Sequence, residues 1–220
     1  MRASLQMGFM KHSFIAIILG AACAVSAGAT GLNDLENFVK TVKSGRADFI
    51  QAVTAPAKDG QAARTKTSSG TFEFARPNRF KFLYKKPFEQ SIVADGQTLW
   101  LLDVDLNQVT ARQQSKVMGA TPAALIASAP DLKALQADFT LADAPDKDGL
   151  QWVEATPKAK DSALQNVRVG FKSGAFAVLE ILDSFGQRST MTFSAFQANV
   201  PMDAASFQFK PPVGADVIRQ

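Results

Sequence analysis

Two hydrophobic periods divide the chain. Between Leu32 and Ser44, apolar side chains recur at helical spacing, at Leu32, Leu35, Phe38, Val39 and Val42, so one face of a helix is apolar and must cover something. Asn33, with Glu36 three residues on, is the predicted N-terminal cap. From Ala47 the period changes to two, and short runs rich in Phe, Val, Ile and Thr alternate with turn residues for most of the remaining chain. Phe72 and Phe74 share one face of a strand; Phe80, Phe82 and Tyr84 share one face of the next. Asp95-Gly96 stands between Ile92-Val93 and Leu99-Trp100-Leu101-Leu102, a strong hairpin signal. Asp148-Gly149, Ser173-Gly174 and Phe185-Gly186 mark further turns. The expectation is an antiparallel meander of about ten strands.

One segment interrupts the strands. Thr121-Pro122 reads as a helix cap followed by proline at the first helical position, opening a run from Ala123 to Ala129. No charged residue occurs between Val117 and Pro130, so this helix has to be buried or to close over something apolar. A further helical turn is expected around Asp131 to Leu135, with strands resuming at Ala137, and Pro211-Pro212 is expected to end the regular ladder. The predicted fold class is mainly β (α+β), a single strongly curved antiparallel sheet with short helices on one face. Neither repeats nor linkers divide residues 30–220, which are expected to form one domain.

The N-terminus carries a different pattern. Lys11 and His12 precede an apolar run from Phe14 to Val25, and Ala27-Gly28-Ala29 offers a small-x-small cleavage site. Residues 1–29 therefore read as a secretory signal peptide whose true start is Met10, with the mature chain beginning near Thr30 and exported to the periplasm. The run is too short to span a bilayer. Cys23 raises the alternative of lipoprotein acylation, but Gly20 occupies the third position before it, where a leucine is usual.

Composition then narrows the chemistry. His12 and Cys23 are the histidine and the cysteine of the whole chain, so residues 30–220 cannot assemble a Ser-His-Asp triad, a thiol nucleophile or a His-ligated metal site. No enzyme activity, cofactor or metal is expected. The carboxylate pairs Asp103 with Asp105 and Asp143 with Asp146 lie in turn contexts, where Asp serves the backbone. Asp146-Lys147-Asp148-Gly149 suggests a calcium loop, yet with Gly149 as its glycine, Ala144 and Ala155 fall on the first and last ligand positions. Gly170 and Gly174 lack the Lys-Ser/Thr of a phosphate loop. Without Arg2 and Lys11, 24 basic residues become 22 against 20 acidic ones, which argues against nucleic acid and against an anionic-membrane anchor. Fifteen of the 17 phenylalanines lie beyond residue 29. They form either a closed core or the lining of a hollow under a helical lid.

Three motifs in order, Arg76-Pro77-Asn78-Arg79-Phe80, Asp95-Gly96-Gln97-Thr98-Leu99-Trp100 and Thr121-Pro122-Ala123-Ala124-Leu125-Ile126-Ala127, together resemble the outer-membrane lipoprotein carrier family, LolA. Thr156-Pro157-Lys158, Gln187-Arg188-Ser189 and Phe207-Gln208-Phe209-Lys210-Pro211-Pro212 extend the similarity over the chain beyond the signal. The resemblance implies an incomplete, half β-barrel with helices lidding an apolar concave face. It implies a carrier that receives lipoproteins by their acyl chains from an inner-membrane ABC transporter and passes them to an outer-membrane receptor lipoprotein. It places a lid latch on Arg76, whose guanidinium can bind lid carbonyls. Ile126 and Ala127 take lid positions, and Val39 faces them. Leu35, Phe80, Phe82, Ile92, Trp100, Leu102 and Leu125 are the further candidates for the lid and the acyl-chain cavity, although alternation alone does not say which strand face is concave. Arg79 departs from the family pattern, in which an apolar residue is common there. The protein is expected to act as a monomer. Alternatives are the receptor lipoprotein of the same fold and a periplasmic lipid-sensing regulatory module.

Overall fold

The computed structural model describes residues 30–57, 62–117 and 129–220. The expected signal segment, with Met10 and Cys23, lies outside them. Helix α1 (Gly31–Thr41) is followed by strands β1 (Ser44–Thr54), β2 (Thr65–Ala75), β3 (Arg79–Lys86), β4 (Gln90–Asp95), β5 (Thr98–Asp103) and β6 (Gln108–Gln113). A short helix, α2 (Gln114–Val117), and a second, α3 (Leu132–Asp138), flank the segment that is not described. Strands β7 (Phe139–Lys147), β8 (Leu150–Pro157), β9 (Leu164–Lys172), β10 (Ala175–Asp183), β11 (Arg188–Ala198) and β12 (Asp216–Arg219) complete the order. The twelve described strands form one sheet in the order β12-β6-β5-β4-β3-β2-β1-β11-β10-β9-β8-β7. The sheet is curved and open, not closed into a barrel, which agrees with the half-barrel expectation.

Hairpin chemistry drives the meander. At Asp148-Gly149 and Ser173-Gly174 both residues take positive φ, 57° with 73° and 51° with 77°, the backbone that a tight two-residue turn requires. Asp95 braces the β4–β5 turn through its side chain, accepting from the backbone N–H of Gln97 and of Thr98, both at 2.8 Å. Gly70 marks a close approach, since a Cβ there would overlap the Leu83 carbonyl where the β2–β3 register shifts.

Several boundaries differ from the sequence expectation, among them the end of α1 at Thr41 and the start of β1 at Ser44, ahead of Ala47. Helix α1 starts earlier, with Thr30 as its cap in place of Asn33; the Thr30 hydroxyl accepts from the Asn33 N–H. Tertiary contact selects this start: Gly31 lies against the Trp152 backbone, and Asp143 accepts from the Leu32 N–H at 2.8 Å. Strands resume at Phe139, after a longer α3 capped by Asp131. Pro211-Pro212 does not end the sheet, because β12 follows it and pairs in parallel with β6.

The core lies on the concave face. Phe49, Phe72, Phe74, Phe80, Phe82, Val153, Val167, Val169, Phe171, Phe176, Leu179 and Phe193 all point into it, and Leu35, Phe38 and Val39 of α1 meet them from above. The convex face is crossed by the C-terminal segment. A 3-10 turn at Ala204–Phe207 buries Phe207 against β3 and β4, and Phe209 stacks on Trp100 with ring centroids 5.2 Å apart.

Candidate functional site

Phe38 stands at the centre of the covering contact. Its ring lies 6.2 Å from Phe74, 5.9 Å from Phe171, 5.6 Å from Phe176 and 6.0 Å from Phe196. Along β1, β2 and β3 a second aromatic row joins Phe72 to Phe82 at 4.4 Å and Phe49 to Phe82 at 5.6 Å. Stacked and tilted pairs of this kind add about 0.5–1.5 kcal/mol each beyond area burial. The apolar interior is thus packed largely by rings of the protein itself.

Arg76 sits at the edge of this cluster. Its Nε donates to the Val42 carbonyl at 2.8 Å and its Nη1 to the Ala129 carbonyl at 2.9 Å. These acceptors belong to the C-cap of α1 and to the first residue described after the segment 118–128. The guanidinium carbon lies 5.4 Å from the ring centroids of both Phe38 and Phe74, a cation–π placement. Burial lowers the Arg76 pKa to about 10, so the group remains a cation at neutral pH. Its Nη2 is buried with no hydrogen-bond partner among the described residues, a desolvation cost that opposes the two bonds.

The candidate residues divide by register. Phe80 pairs with Ala94 and Phe82 with Ile92, placing Phe80, Phe82 and Ile92 on the concave face together. Leu35 and Val39 are buried beneath α1, facing the sheet. Trp100 and Leu102, expected in the cavity, face the other way. Ile92 pairs with Leu101 and Ala94 with Leu99, so Leu99 and Leu101 share the concave face while Trp100 and Leu102 point to the convex one. There Trp100 stacks on Phe209, and its Nε1 donates to Asp95 at 2.8 Å. The physical reason is that β5 is apolar on both faces, the second being covered by the C-terminal segment. Leu125, Ile126 and Ala127 lie outside the described residues.

The apolar stripe of α1 anticipated Phe38, whereas the interior contributions of Phe171, Phe176 and Phe193 were not singled out. Their alternating positions were the available signal. The two carbonyl acceptors of Arg76 had none, since a backbone oxygen is carried by every residue.

Beyond Tyr84 the concave face becomes polar and opens into a groove of about 780 Å³, lined by Gln51, Ser68, Tyr84, Gln90 and Asp103 and flanked by Phe88 and Leu106. Tyr84 donates to Gln51 Oε1 at 3.0 Å, and burial pushes its pKa up to about 12. Asp103 accepts from the Leu106 N–H at 3.1 Å and Asp143 serves α1, so one member of each carboxylate pair is engaged by backbone. Among the described residues no group of three or more His, Cys, Asp or Glu could hold a metal ion, and no described helix is long and apolar enough to cross a membrane.

Fold and site together define a helix-covered half-barrel with an apolar interior. The sequence model of the outer membrane lipoprotein carrier protein LolA matches residues 40–210, and the chain belongs to that family. It is 74% identical to an outer-membrane lipoprotein carrier protein of Albidiferax ferrireducens over 94% of this chain and 99% of that one. Identity to the protein of the same name from Leptothrix cholodnii is 51%, over 96% of each chain. A LolA superfamily structure from Nitrosomonas europaea matches 82% of this chain and 98% of its own at 12% identity and a TM-score of 0.46; the family assignment rests on sequence.

Proposed function

We propose that this protein is a non-catalytic periplasmic carrier that takes lipoproteins by their acyl chains from an inner-membrane ABC transporter and delivers them to an outer-membrane receptor lipoprotein. Residues 1–29 act as its secretory signal. The observation that carries the reading is a concave face apolar across the sheet under a helix pinned by one half-buried arginine. Burying an acyl methylene gains about 0.8 kcal/mol, so holding three chains needs apolar area and shape, without a nucleophile or a titrating base.

Release is the harder problem. An interior that offered a permanent hollow would hold such chains too tightly to give them up. Here Phe38, Phe72, Phe74 and Phe82 pack on one another, so cargo has to displace ring contacts that re-form when it leaves. Net affinity is then the difference between two buried states, and Arg76 adds weight to the closed one.

Depleting the protein from cells is expected to strand outer-membrane lipoproteins at the inner membrane, as read by membrane fractionation. Unchanged sorting after depletion contradicts the carrier function.

A further inference from the structure

The corner between α1 and β1 is held from two sides. From within the sheet, the Arg76 backbone N–H donates to the Lys43 carbonyl at 2.8 Å while its Nε donates to Val42. From the opposite direction comes Asn199, just past the end of β11. Its Oδ1 accepts from the Lys43 N–H at 2.8 Å, its Nδ2 donates to the Thr41 carbonyl at 3.1 Å, and its own N–H donates to the Ser44 carbonyl at 2.7 Å. Ser44 returns a bond through its hydroxyl to the Val200 carbonyl at 2.6 Å. Thr41, Val42, Lys43 and Ser44 are therefore each tied by Arg76 or Asn199.

We infer that Asn199 is a positioning residue for the latch: it fixes the α1–β1 corner so that the Val42 carbonyl stands where Arg76 can reach it. Asparagine suits the place for two reasons. Its φ is 55°, a left-handed backbone that asparagine tolerates better than most side chains. Its amide carries a donor and an acceptor together, matching one carbonyl and one N–H two residues apart. The arrangement ties the C-terminal end of α1 through Asn199 to the end of β11. This role rests on the carrier reading for its purpose but not for its geometry.

Asn199 is exposed, so Asn199→Gly retains the backbone conformation and the fold while removing both side-chain bonds. The control is Asn107→Gly, at another exposed asparagine of positive φ (46°) remote from the corner. In the full chain, exchange of the Arg76 Nε proton, followed by NMR, should accelerate about five-fold in Asn199→Gly and stay unchanged in Asn107→Gly. Release of a tripalmitoyl-cysteinyl peptide into phosphatidylethanolamine–phosphatidylglycerol vesicles should slow in Asn199→Gly. Combining it with Arg76→Leu should slow release no further than Arg76→Leu alone. Unchanged Arg76 exchange, or fully additive effects on release, overturns the positioning role. If the native protein does not bind the peptide, the carrier reading falls, and the exchange comparison still decides the role of Asn199.

Discussion

Arg76→Leu is expected to accept lipoprotein normally and to release it poorly. Leucine keeps apolar contact with Phe38 and Phe74 but loses the bonds to the Val42 and Ala129 carbonyls. Hydrogen bonds from a charged donor contribute about 1.5–3 kcal/mol each. The loss is smaller than their sum, because leucine also removes the buried Nη2, unpartnered among the described residues, and the burial cost that lowers the Arg76 pKa to about 10. A net loss of about 2 kcal/mol shifts the closed-to-open ratio some thirty-fold. The shift favours the open, cargo-holding form, so loading is spared and delivery suffers. Purified variant charged with lipoprotein and presented to the receptor measures this; transfer at the native rate contradicts the latch.

Phe72→Ala should have the largest effect on stability. Phe72 is fully buried, stacks on Phe82 at 4.4 Å with a 25° interplanar angle, and meets Phe74 and Phe193 at 5.6 Å each. Removing such a ring costs about 4 kcal/mol from lost transfer energy and the cavity left behind. For a domain of this size that corresponds to a fall of about 10 °C in Tm. Phe88→Ala is the contrast: Phe88 is 69% exposed, and its loss should change stability by no more than about 0.5 kcal/mol. Thermal unfolding followed by circular dichroism separates the two. Equal falls would mean that the concave ring cluster is not the core.

How far the sequence could be read follows from what each residue needs around it. Period-two alternation grouped Phe80 with Phe82 on one face of β3, but with Leu83 and Val93 apolar on the other face it did not say which face is concave; the register and the core packing settle that. Alternation failed for Leu99-Trp100-Leu101-Leu102, where both faces are apolar and the choice depends on Phe209, more than a hundred residues away. Thr30 and Asn33 are both competent caps; the Trp152 backbone and Asp143 decided between them. The two prolines stop hydrogen bonding at their own nitrogens, yet they do not forbid a strand after them, and β12 finds the free edge of β6. Arg76 was legible as part of a motif, whereas Asn199 and the carbonyls that it aligns were not.

Native mass spectrometry of the protein taken from the periplasmic fraction tests the central claim most directly. The expected result is a population heavier than the processed chain by one triacylated lipoprotein, dissociated by detergent and enriched in Arg76→Leu. Finding the bare chain alone, in both the native protein and Arg76→Leu, would contradict it.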